Sequence, residues 1–544
     1  MIGPLRLPPD WTRDPDAREI VAALDRELAD IARALRAGWD GQQELLRDVL
    51  APHAAAPTPS VLVGRLARPD GPPAGGVAAG WRCWAEAGGG RFGQIEFRTT
   101  RPEVPLPVEV VRVCEEPEPG RLVPDLDVAG AVRATFRVTD PRLTFAGLTD
   151  RGPLRLFVRG GRGGVGAFQA LLTDAPAAYA FDPDDPAGTI REVALRPVGL
   201  DLGGTVLPAL PGGLAGDALV RLFAVAPAAL CFLDVTDRDR AFDGCGRLLD
   251  LLIPVRTARG LAAVKLARFD PNCTPLVNVT AWRTDLPVGP GDPAPALALP
   301  PNTALSAVRR VSRADGERWA ECPRWVGGRH GAGGPSYLVR RTAGAGGRLS
   351  VVDPQLAPDR PAWLYLDVEA DLVNRELPDG LSGRTLSGED GWACEVLTDP
   401  TPCLLPPADL PAAADDWPTD LLRRDDPDLT AAVRRELGSA AAVGWMPADP
   451  AARLDGRDDA LLRMLAGVRR VSVERGSPVN GYPGQEFTVE LDETAFRDGT
   501  AVLFAAVLDR FLAGRAFLTY TRLTTRTRKE EHRWPPRLGR DPLA

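Results

Sequence analysis

Three side chains that could do chemistry lie close together in residues 269–288, FDPNCTPLVNVTAWRTDLPV. Cys273 supplies a thiol, and Thr274 and Asn278 supply polar groups beside a turn. A thiol becomes a good nucleophile only when a base or a positive charge stabilises its thiolate, and histidine is a common choice for that base. The chain has only three histidines, His53, His330 and His532. Each of them is isolated, so the sequence identifies no partner for Cys273.

The same stretch also has a structural interpretation. Pro275 fixes the backbone where the turn leads into a short apolar run, and the side chain of Asn278 is suited to hydrogen-bonding backbone groups. We therefore interpret residues 269–288 as an architectural junction between one β-rich domain and the next. The scarcity of histidine lowers the expectation of hydrolytic catalysis, although carboxylates alone can perform acid–base chemistry. No catalytic residue is predicted.

The eight cysteines do not indicate a metal site. No two form a Cys-x-x-Cys pair, and none lies at ligand spacing from a histidine, as structural zinc sites require. Scattered cysteines in a long chain are typical of reduced, mostly buried thiols in a cytosolic protein. The eight are Cys83, Cys114, Cys231, Cys245, Cys273, Cys322, Cys394 and Cys403.

A glycine-rich turn provides the second candidate site. Residues 154–159 predict a strand, Gly161, Gly163 and Gly166 match the G-x-G-x-x-G pattern, and a short helix is predicted over 167–172. Asp182 follows at about the spacing of the acidic residue in dinucleotide-binding folds, so one hypothesis is an oxidoreductase with a nucleotide cofactor. The flanking sequence predicts antiparallel strands rather than repeated βαβ units. We therefore favour a plain glycine-rich turn and expect no cofactor.

Tryptophan supports a third hypothesis, a carbohydrate-binding β module that presents aromatic rings to solvent. The chain has twelve tryptophans, but most tryptophans in proteins are packing residues. The candidates for an exposed platform are Trp81, Trp84, Trp319 and Trp325.

Composition limits the possible partners and locations. The 544 residues carry a formal net charge of −8 and have a pI near 5.3, which argues against a nucleic-acid partner. No apolar run reaches the roughly 18–20 residues that a membrane helix needs, so no direct membrane insertion is expected. The first residues also lack the layout of a signal peptide. We expect a cytoplasmic protein.

The pattern of elements predicts a multidomain α+β protein that is predominantly antiparallel β. The expected domains are an N-terminal helical segment (1–56), a β-rich domain with inserted helices (57–290), a second β-rich domain (291–418) and a C-terminal α+β domain (419–544). The first segment should hold short helices near 14–38 and 43–50. The last domain should contain a ββαβ unit whose helix carries the apolar stripe of residues 503–512. A strand is expected over 261–267 and loops over 380–418.

Several segments, in this order, resemble the TssF family of type VI secretion baseplate proteins. They cover roughly residues 45–540: 50–53 with 57–60, 97–100 with 104–108, 154–158 with its glycine-rich turn, 197–200, 273–278, 374–378, 399–402, and the apolar pattern of 496–512 with 534–535. The residues that carry the resemblance best are Phe97, Arg98, Thr99, Cys273, Thr274, Pro275, Asn278, Asn374, Arg375, Leu377, Pro378, Pro400, Thr401, Pro402, Phe504 and Phe511. The N-terminus is shorter than the family pattern, and 408–445 holds an Ala- and Asp-rich stretch in place of a family segment.

The resemblance implies a structural role and a fold like that of phage baseplate wedge proteins. It implies assembly with TssG and a second TssF copy, together with TssK, TssE and the VgrG hub. It also implies recruitment to the secretion apparatus associated with the inner membrane. It implies neither a catalytic residue nor a cofactor.

Overall fold

The computed structural model describes residues 56–68, 75–85, 95–124, 126–160, 164–175, 177–185, 188–208, 210, 213–289, 292, 294–315, 318–325, 335–342, 346–352, 364–378, 380–405, 429–440, 460–496, 500–516, 519–528, 530–539 and 541–542. The helices predicted over 14–38 and 43–50 lie outside these residues. So do Gly161 and Gly163 and most of the divergent stretch 408–445.

The described residues contain the following elements. The strands are β1 Val61–Ala67, β2 Arg82–Ala85, β3 Ile95–Thr99, β4 Val108–Glu116, β5 Gly130–Val138, β6 Leu154–Arg159, β7 Ala178–Phe181, β8 Arg191–Val193, β9 Leu195–Pro197, β10 Phe232–Val235, β11 Leu248–Val255, β12 Arg268–Pro271, β13 Cys273–Val277, β14 Thr280–Val288, β15 Thr303–Asp315, β16 Arg318–Cys322, β17 Ser336–Thr342, β18 Gly346–Val352, β19 Leu364–Asn374, β20 Thr385–Gly388, β21 Ala393–Val396, β22 Val468–Val479, β23 Tyr482–Leu491, β24 Tyr520–Arg526, β25 Glu531–Arg533, β26 Arg537–Leu538 and β27 Asp541–Pro542. The α-helices are α1 Gly164–Thr173, α2 Ala215–Val225, α3 Arg238–Phe242, α4 Ala258–Val264, α5 Leu429–Ala440, α6 Ala460–Gly467 and α7 Ala501–Arg515.

Six short strands close into a small antiparallel barrel in the order β1-β13-β3-β2-β20-β21. Its interior is filled by apolar side chains that include Leu62, Phe97 and Leu276. The barrel uses strands from both sides of residue 290, because β1 pairs with β13 on one edge and with β21 on the other. The division into four domains at the predicted boundaries stays a prediction.

Three further sheets surround the barrel. A five-stranded sheet runs β4-β5-β11-β7-β8, and a four-stranded sheet runs β12-β6-β10-β9. A second four-stranded sheet, β14-β19-β15-β16, packs its inner face with the β17-β18 hairpin around an apolar cluster that contains Leu305, Leu349 and Leu366. All pairings in these sheets are antiparallel. The prediction of a mostly antiparallel β protein is confirmed.

The C-terminal unit has the predicted strand, strand, helix, strand order. β22 and β23 form a hairpin, and α7 crosses over to β24, which pairs with β23 in parallel. We expected α7 to pack through an apolar stripe on one side, but both of its faces are covered. One face packs on β24, and the other contacts α2, where the rings of Phe223 and Phe504 lie 5.5 Å apart. The C-terminal unit is thereby fixed to the β-rich region.

Two predictions about local structure were wrong. Residues 261–267 form no strand, because Thr257 caps α4 by accepting a hydrogen bond from the Gly260 N–H at 3.0 Å, and the helix runs to Val264. Residues 380–405 are not all loop, because β20 and β21 complete the barrel. The helix that carries the apolar stripe of 503–512 runs from Ala501 to Arg515, so it does not end at Gly514, where the sequence predicts its stop.

No helix within the described ranges is both long enough and apolar enough to cross a membrane.

Two carboxylates share one guanidinium where α2, α5 and α7 meet. Arg515 of α7 lies 2.9 Å from Asp217 and 3.0 Å from Glu436. Burial raises the pKa of Glu436 to about 7, against the lowering effect of Arg515, and the Asp217 charge adds to the rise. Burial also raises the pKa of Asp217. One positive charge therefore does not fully stabilise both carboxylates in this buried position.

Close approach of two strands requires glycine at one barrel position. A Cβ added to Gly64 of β1 would lie 2.1 Å from Cys394 Sγ and 3.2 Å from Leu276 Cδ1. Gly64→Ala should lower the free energy of unfolding by about 1–3 kcal/mol, as overpacking of a tight core does. Denaturant unfolding of the full chain measures the loss.

The matched variant for this test is Cys394→Ala, which removes the sulfur that the new methyl group would strike. In a double-mutant cycle, Gly64→Ala should cost less in the Cys394→Ala background than in the wild type. Additive costs would show that the sulfur is not the obstacle.

Acidification should stabilise the contact around Arg515. Between the unfolded pKa of Glu436, about 4.3, and its folded value of about 7, the folded chain binds a proton that the unfolded chain does not. The free energy of unfolding should therefore rise as pH falls from 8 to 5. Glu436→Gln should flatten this slope and raise stability at pH 8 by about 2 kcal/mol. Thermal unfolding of both proteins across this pH range measures the difference, and parallel pH profiles would contradict it.

Candidate functional site

Three consecutive strands of the 269–288 stretch enter three different sheets. β12 lies at the edge of the β12-β6-β10-β9 sheet, β13 lies in the barrel, and β14 lies at the edge of the β14-β19-β15-β16 sheet. Asn272 separates β12 from β13 and has a positive φ of 61°. Asparagine tolerates this left-handed backbone better than most residues. The stretch is thus the point where three sheets meet.

The Asn278 side chain links two of these sheets. Its Nδ2 donates to the Glu96 carbonyl oxygen and to Asn374 Oδ1, each at 2.9 Å, while its Oδ1 accepts from the Asn374 backbone N–H at 2.8 Å. Its own backbone N–H donates to the Ser60 carbonyl oxygen at 2.9 Å. The side chain is 0% exposed. One amide therefore ties β3 of the barrel to the end of β19 without any solvent contact.

Two other asparagines close turns in the same way. Asn272 Oδ1 accepts from the Leu106 N–H, and Asn272 Nδ2 donates to the Leu106 carbonyl oxygen, both at 2.8 Å. Asn302 pairs with the backbone of Glu376 at 2.9 and 3.0 Å. Arg375 Nε donates to the Thr303 carbonyl oxygen at 2.8 Å. These amides satisfy backbone groups that lie beyond the ends of the β-ladders.

The segment after β21 holds the start of β1. Thr398 Oγ1 accepts from the Val63 N–H at 2.9 Å, and Thr401 Oγ1 accepts from the Val61 N–H at 3.0 Å. The Thr401 N–H donates in return to the Val61 carbonyl oxygen at 2.9 Å. Pro400 and Pro402 flank Thr401 and have no N–H to donate, so Thr401 supplies the backbone donor of this short run.

A buried group of ion pairs lies beneath Thr274. Thr274 Oγ1 donates to Glu103 Oε1 at 3.2 Å, and Arg155 binds both Glu103, at 2.8 and 3.0 Å, and Asp234, at 2.8 and 3.0 Å. Burial alone would lower the pKa of Arg155, but Asp234 and Glu103 raise it above its usual value. Burial lowers the pKa of Arg101, which also donates to Glu103, at 2.6 Å. The two arginines and the two carboxylates balance in charge, and their contacts join β6 and β10 to the barrel.

Cys273 is held as a neutral thiol. It is buried, its Sγ donates to the Pro271 carbonyl oxygen at 3.4 Å, and burial raises its pKa above the usual range. Nucleophilic cysteines show the opposite shift. This environment favours a packing role for Cys273.

The remaining signature residues fall into two groups. Near the junction, Phe97 fills the barrel, Thr99 Oγ1 donates to the Ala78 carbonyl oxygen at 2.9 Å, and Arg98 pairs with Glu96.

Pro275 lies opposite Val63 in the β1-β13 ladder, while Leu377, in the segment that also holds Pro378, packs against the barrel core. The second group, Phe504 and Phe511, lies in α7 of the C-terminal unit.

The charged part of this junction was not predicted from the sequence. Glu103, Arg155 and Asp234 come from separate segments, and none lies in a motif with chemical meaning. Asn272 could have been recognised, because the run Asp-Pro-Asn predicts a turn whose last residue favours a left-handed backbone.

The strand arrangement around β6 does not support the nucleotide-cofactor hypothesis. β6 has antiparallel neighbours on both sides, β12 and β10, and the next strand, β7, lies in another sheet. Dinucleotide folds need a parallel βαβ unit at this place. Asp182 caps a turn instead, because its Oδ2 accepts from the Gly246 N–H at 2.7 Å.

The four candidate tryptophans, all within the described ranges, form no shared platform. Trp81 is buried and its Nε1 donates to the Glu389 carbonyl oxygen at 3.2 Å, and Trp84 and Trp325 are half-buried. Trp319 is exposed, on β16 of a different sheet. Among the described residues, no group of three or more His, Cys, Asp or Glu side chains is arranged to hold a metal ion.

Comparisons with known proteins agree on one family. The family model described as "Type VI secretion system, TssF" matches residues 3–541. A curated relative, the type VI secretion system component TssF1 of Pseudomonas aeruginosa, is 26% identical over 606 aligned positions that cover 97% of this chain and 93% of the relative.

Two solved structures have similar folds. A chain of the type VI secretion system TssK-TssF-TssG baseplate subcomplex superposes with a TM-score of 0.70 at 18% identity, covering 95% of this chain and 98% of that chain. A chain of the type VI secretion system baseplate complex gives a TM-score of 0.54 at 18% identity, covering 92% and 88%. At this identity the similarity establishes the fold.

Removing the Asn278 amide should strongly destabilise the protein. Asn278→Ala would leave the Glu96 carbonyl oxygen and the Asn374 N–H buried without partners, at about 1–3 kcal/mol for each group. We expect the free energy of unfolding to fall by about 3 kcal/mol, measured by denaturant titration. Thr284→Ala on β14 is the control, because Thr284 only donates to the neighbouring Asp285 carbonyl oxygen at 3.4 Å. Equal costs for the two variants would contradict the junction role.

Proposed function

This chain belongs to the TssF family of the type VI secretion system, and from that membership we propose that it is a structural wedge subunit of the secretion baseplate. The match of the family model over residues 3–541 carries the proposal. The fold similarity to a chain of a baseplate subcomplex, over nearly the full length of both chains, supports it.

The proposed partners follow from the relatives. One structural neighbour was solved as a TssK-TssF-TssG subcomplex, so we propose that this chain binds the TssG and TssK proteins of its own system. A second copy of this chain, TssE and the VgrG hub are proposed as further neighbours in the assembled baseplate. In this role the protein works in the cytoplasm and is recruited to the apparatus at the inner membrane.

We propose that the protein acts without catalysis. The buried thiol of Cys273, with its raised pKa, and the balanced ion pairs around Glu103 support a structural junction over an active site. The signature residues from Phe97 to Thr401 would then maintain the relative positions of the sheets that present the assembly surfaces. Stable assemblies of this kind need interfaces of about 1,200 Å² or more, spread over several segments. The N-terminal segment and the C-terminal unit are our candidates.

The proposal is tested by co-expressing this chain with the TssG and TssK proteins of its own secretion system. We expect the three proteins to elute as one complex in size-exclusion chromatography after purification through a tag on this chain. Failure of the wild-type chain to retain TssG would overturn the proposed function.

Deleting residues 1–50 tests the candidate N-terminal surface. The shortened chain should stay in solution with an unfolding transition close to that of the full chain, but should retain much less TssG and TssK. Circular dichroism controls for the fold of the shortened chain. Unchanged complex formation would show that these residues are not an assembly surface.

A further inference from the structure

A groove opens where the end of β6, the start of α1, the segment that leads into β12 and the segment after β21 meet. Its volume is about 500 Å³. The floor is formed by the buried residues Phe157, Val158 and Cys231, and the walls by the half-exposed apolar side chains of Val165, Ala228 and Leu397. Four segments that are far apart in sequence line the groove: the end of β6 with the start of α1, residues 228–231, residues 266–268 and residues 397–398. The first of these contains the predicted strand and helix on which the nucleotide hypothesis rested.

Leu266 stands at the rim of this groove. Its side chain is 71% exposed, more than any other large hydrophobic residue of the described ranges. Scattered single exposed leucines need no explanation, but this one continues an apolar wall. The backbone there is tightly packed, because a Cβ on Gly160 would lie 3.2 Å from the Leu266 carbonyl oxygen. The side chain is therefore presented to solvent from a well-packed backbone.

The charges around the groove leave one positive group uncompensated. Arg159 is bound to Asp270 at 2.7 Å, and Asp270 also accepts from Arg65 at 2.7 Å. Arg65 is balanced in turn by Glu395 at 3.2 Å. Arg268 is exposed at the opening and has no carboxylate within ion-pair distance among the described residues. Among the lining residues that the structure describes, the groove thus combines apolar walls with one uncompensated cation, Arg268.

This combination fits a protein segment better than a small ligand. Small-molecule sites orient their ligands with several convergent polar groups. Here the Arg159 side chain is already paired, and Thr398 Oγ1 is engaged by the Val63 N–H at 2.9 Å. Arg268 is the charged side chain that remains to bind a ligand among the described lining residues. Leu266 is exposed at the rim, where a second protein surface would cover it.

We propose that the groove is a docking site for a short segment of another baseplate protein, in which an aspartate or glutamate is flanked by apolar side chains. The apolar side chains fill the space between Leu266 and Leu397, and the carboxylate pairs with Arg268. This inference rests on the proposed function, because it assumes that the chain is part of a multiprotein assembly.

The test uses the full chain co-purified with the TssG and TssK proteins of its own system. Leu266→Asp and Arg268→Glu should each lower the retained partner by about tenfold, a change typical of a hot-spot residue. Leu266→Ala should have a smaller effect. Both side chains are exposed, so the unfolding transition of each variant should stay at the wild-type temperature. Arg112→Glu, an equal charge change at an exposed position of β4 and outside the C-terminal unit, is the matched control and should retain the partners.

A photo-crosslinker identifies the occupant. With p-benzoylphenylalanine in place of Leu266, irradiation of the assembled complex should yield a crosslinked partner peptide that contains an acidic residue beside apolar ones. A crosslink to a second copy of this chain, or none in an intact complex, would overturn the proposal. So would saturable NAD binding to the wild-type chain that Arg268→Glu abolishes.

The same experiment distinguishes failure of the proposed function from failure of the docking site. If the wild-type chain does not retain TssG and TssK, the proposed function fails. If it retains them and the groove variants do as well, only the docking site fails.

Discussion

The hydrogen bonds of Asn278 are the constraint on which the arrangement of the sheets depends. A chain that sends consecutive strands into three sheets must leave backbone groups outside every ladder, and these groups are buried where the sheets meet. An unpaired buried peptide group costs about 1–3 kcal/mol, so each needs a partner. A primary amide is suited to this task because it donates and accepts at once. Asn272 and Asn302 repeat the solution at neighbouring turns.

The ion pairs around the junction fix the relative positions of the sheets, although they contribute little to the free energy of unfolding. Buried ion pairs often contribute little net free energy, because desolvation offsets their attraction. Here, however, single carboxylates accept from guanidinium groups on different elements: Glu103 from Arg101 and Arg155, and Asp270 from Arg65 and Arg159. Sliding one sheet past its neighbour would separate several charges in a buried setting. Apolar contacts alone would resist such sliding much less.

Local secondary structure could be predicted from the sequence, whereas the long-range contacts at the junction could not. The strand over 154–159 and the C-terminal ββαβ unit were predicted, because their periodicity and turns lie within short segments. The helix α4 was mistaken for a strand, since its seven residues are too few for a clear helical period and the cap at Thr257 was overlooked. β20 and β21 were not predicted because their partners in the barrel, β2 and β1, lie about 300 residues earlier in the chain. Thr274 and Glu103 lie 171 residues apart, and neither position contains a signal that indicates the other.

The glycine-rich turn shows why a local pattern needs its fold. In a dinucleotide site the glycines let a helix N-terminus approach phosphate. Here Gly160 and Gly164, on either side of the turn, instead lie against the protein's own backbone. A Cβ at Gly160 would lie 3.2 Å from the Leu266 carbonyl oxygen, and one at Gly164 would lie 3.3 Å from the Arg159 carbonyl carbon. Gly160 and Gly164 therefore allow close packing of backbone at the end of β6 and the start of α1. β6 has antiparallel neighbours on both sides, so no parallel strand beside it could form a nucleotide crevice. The G-x-G-x-x-G spacing is thus present in the sequence, but the sheet beside it lacks the parallel βαβ arrangement that a dinucleotide site needs.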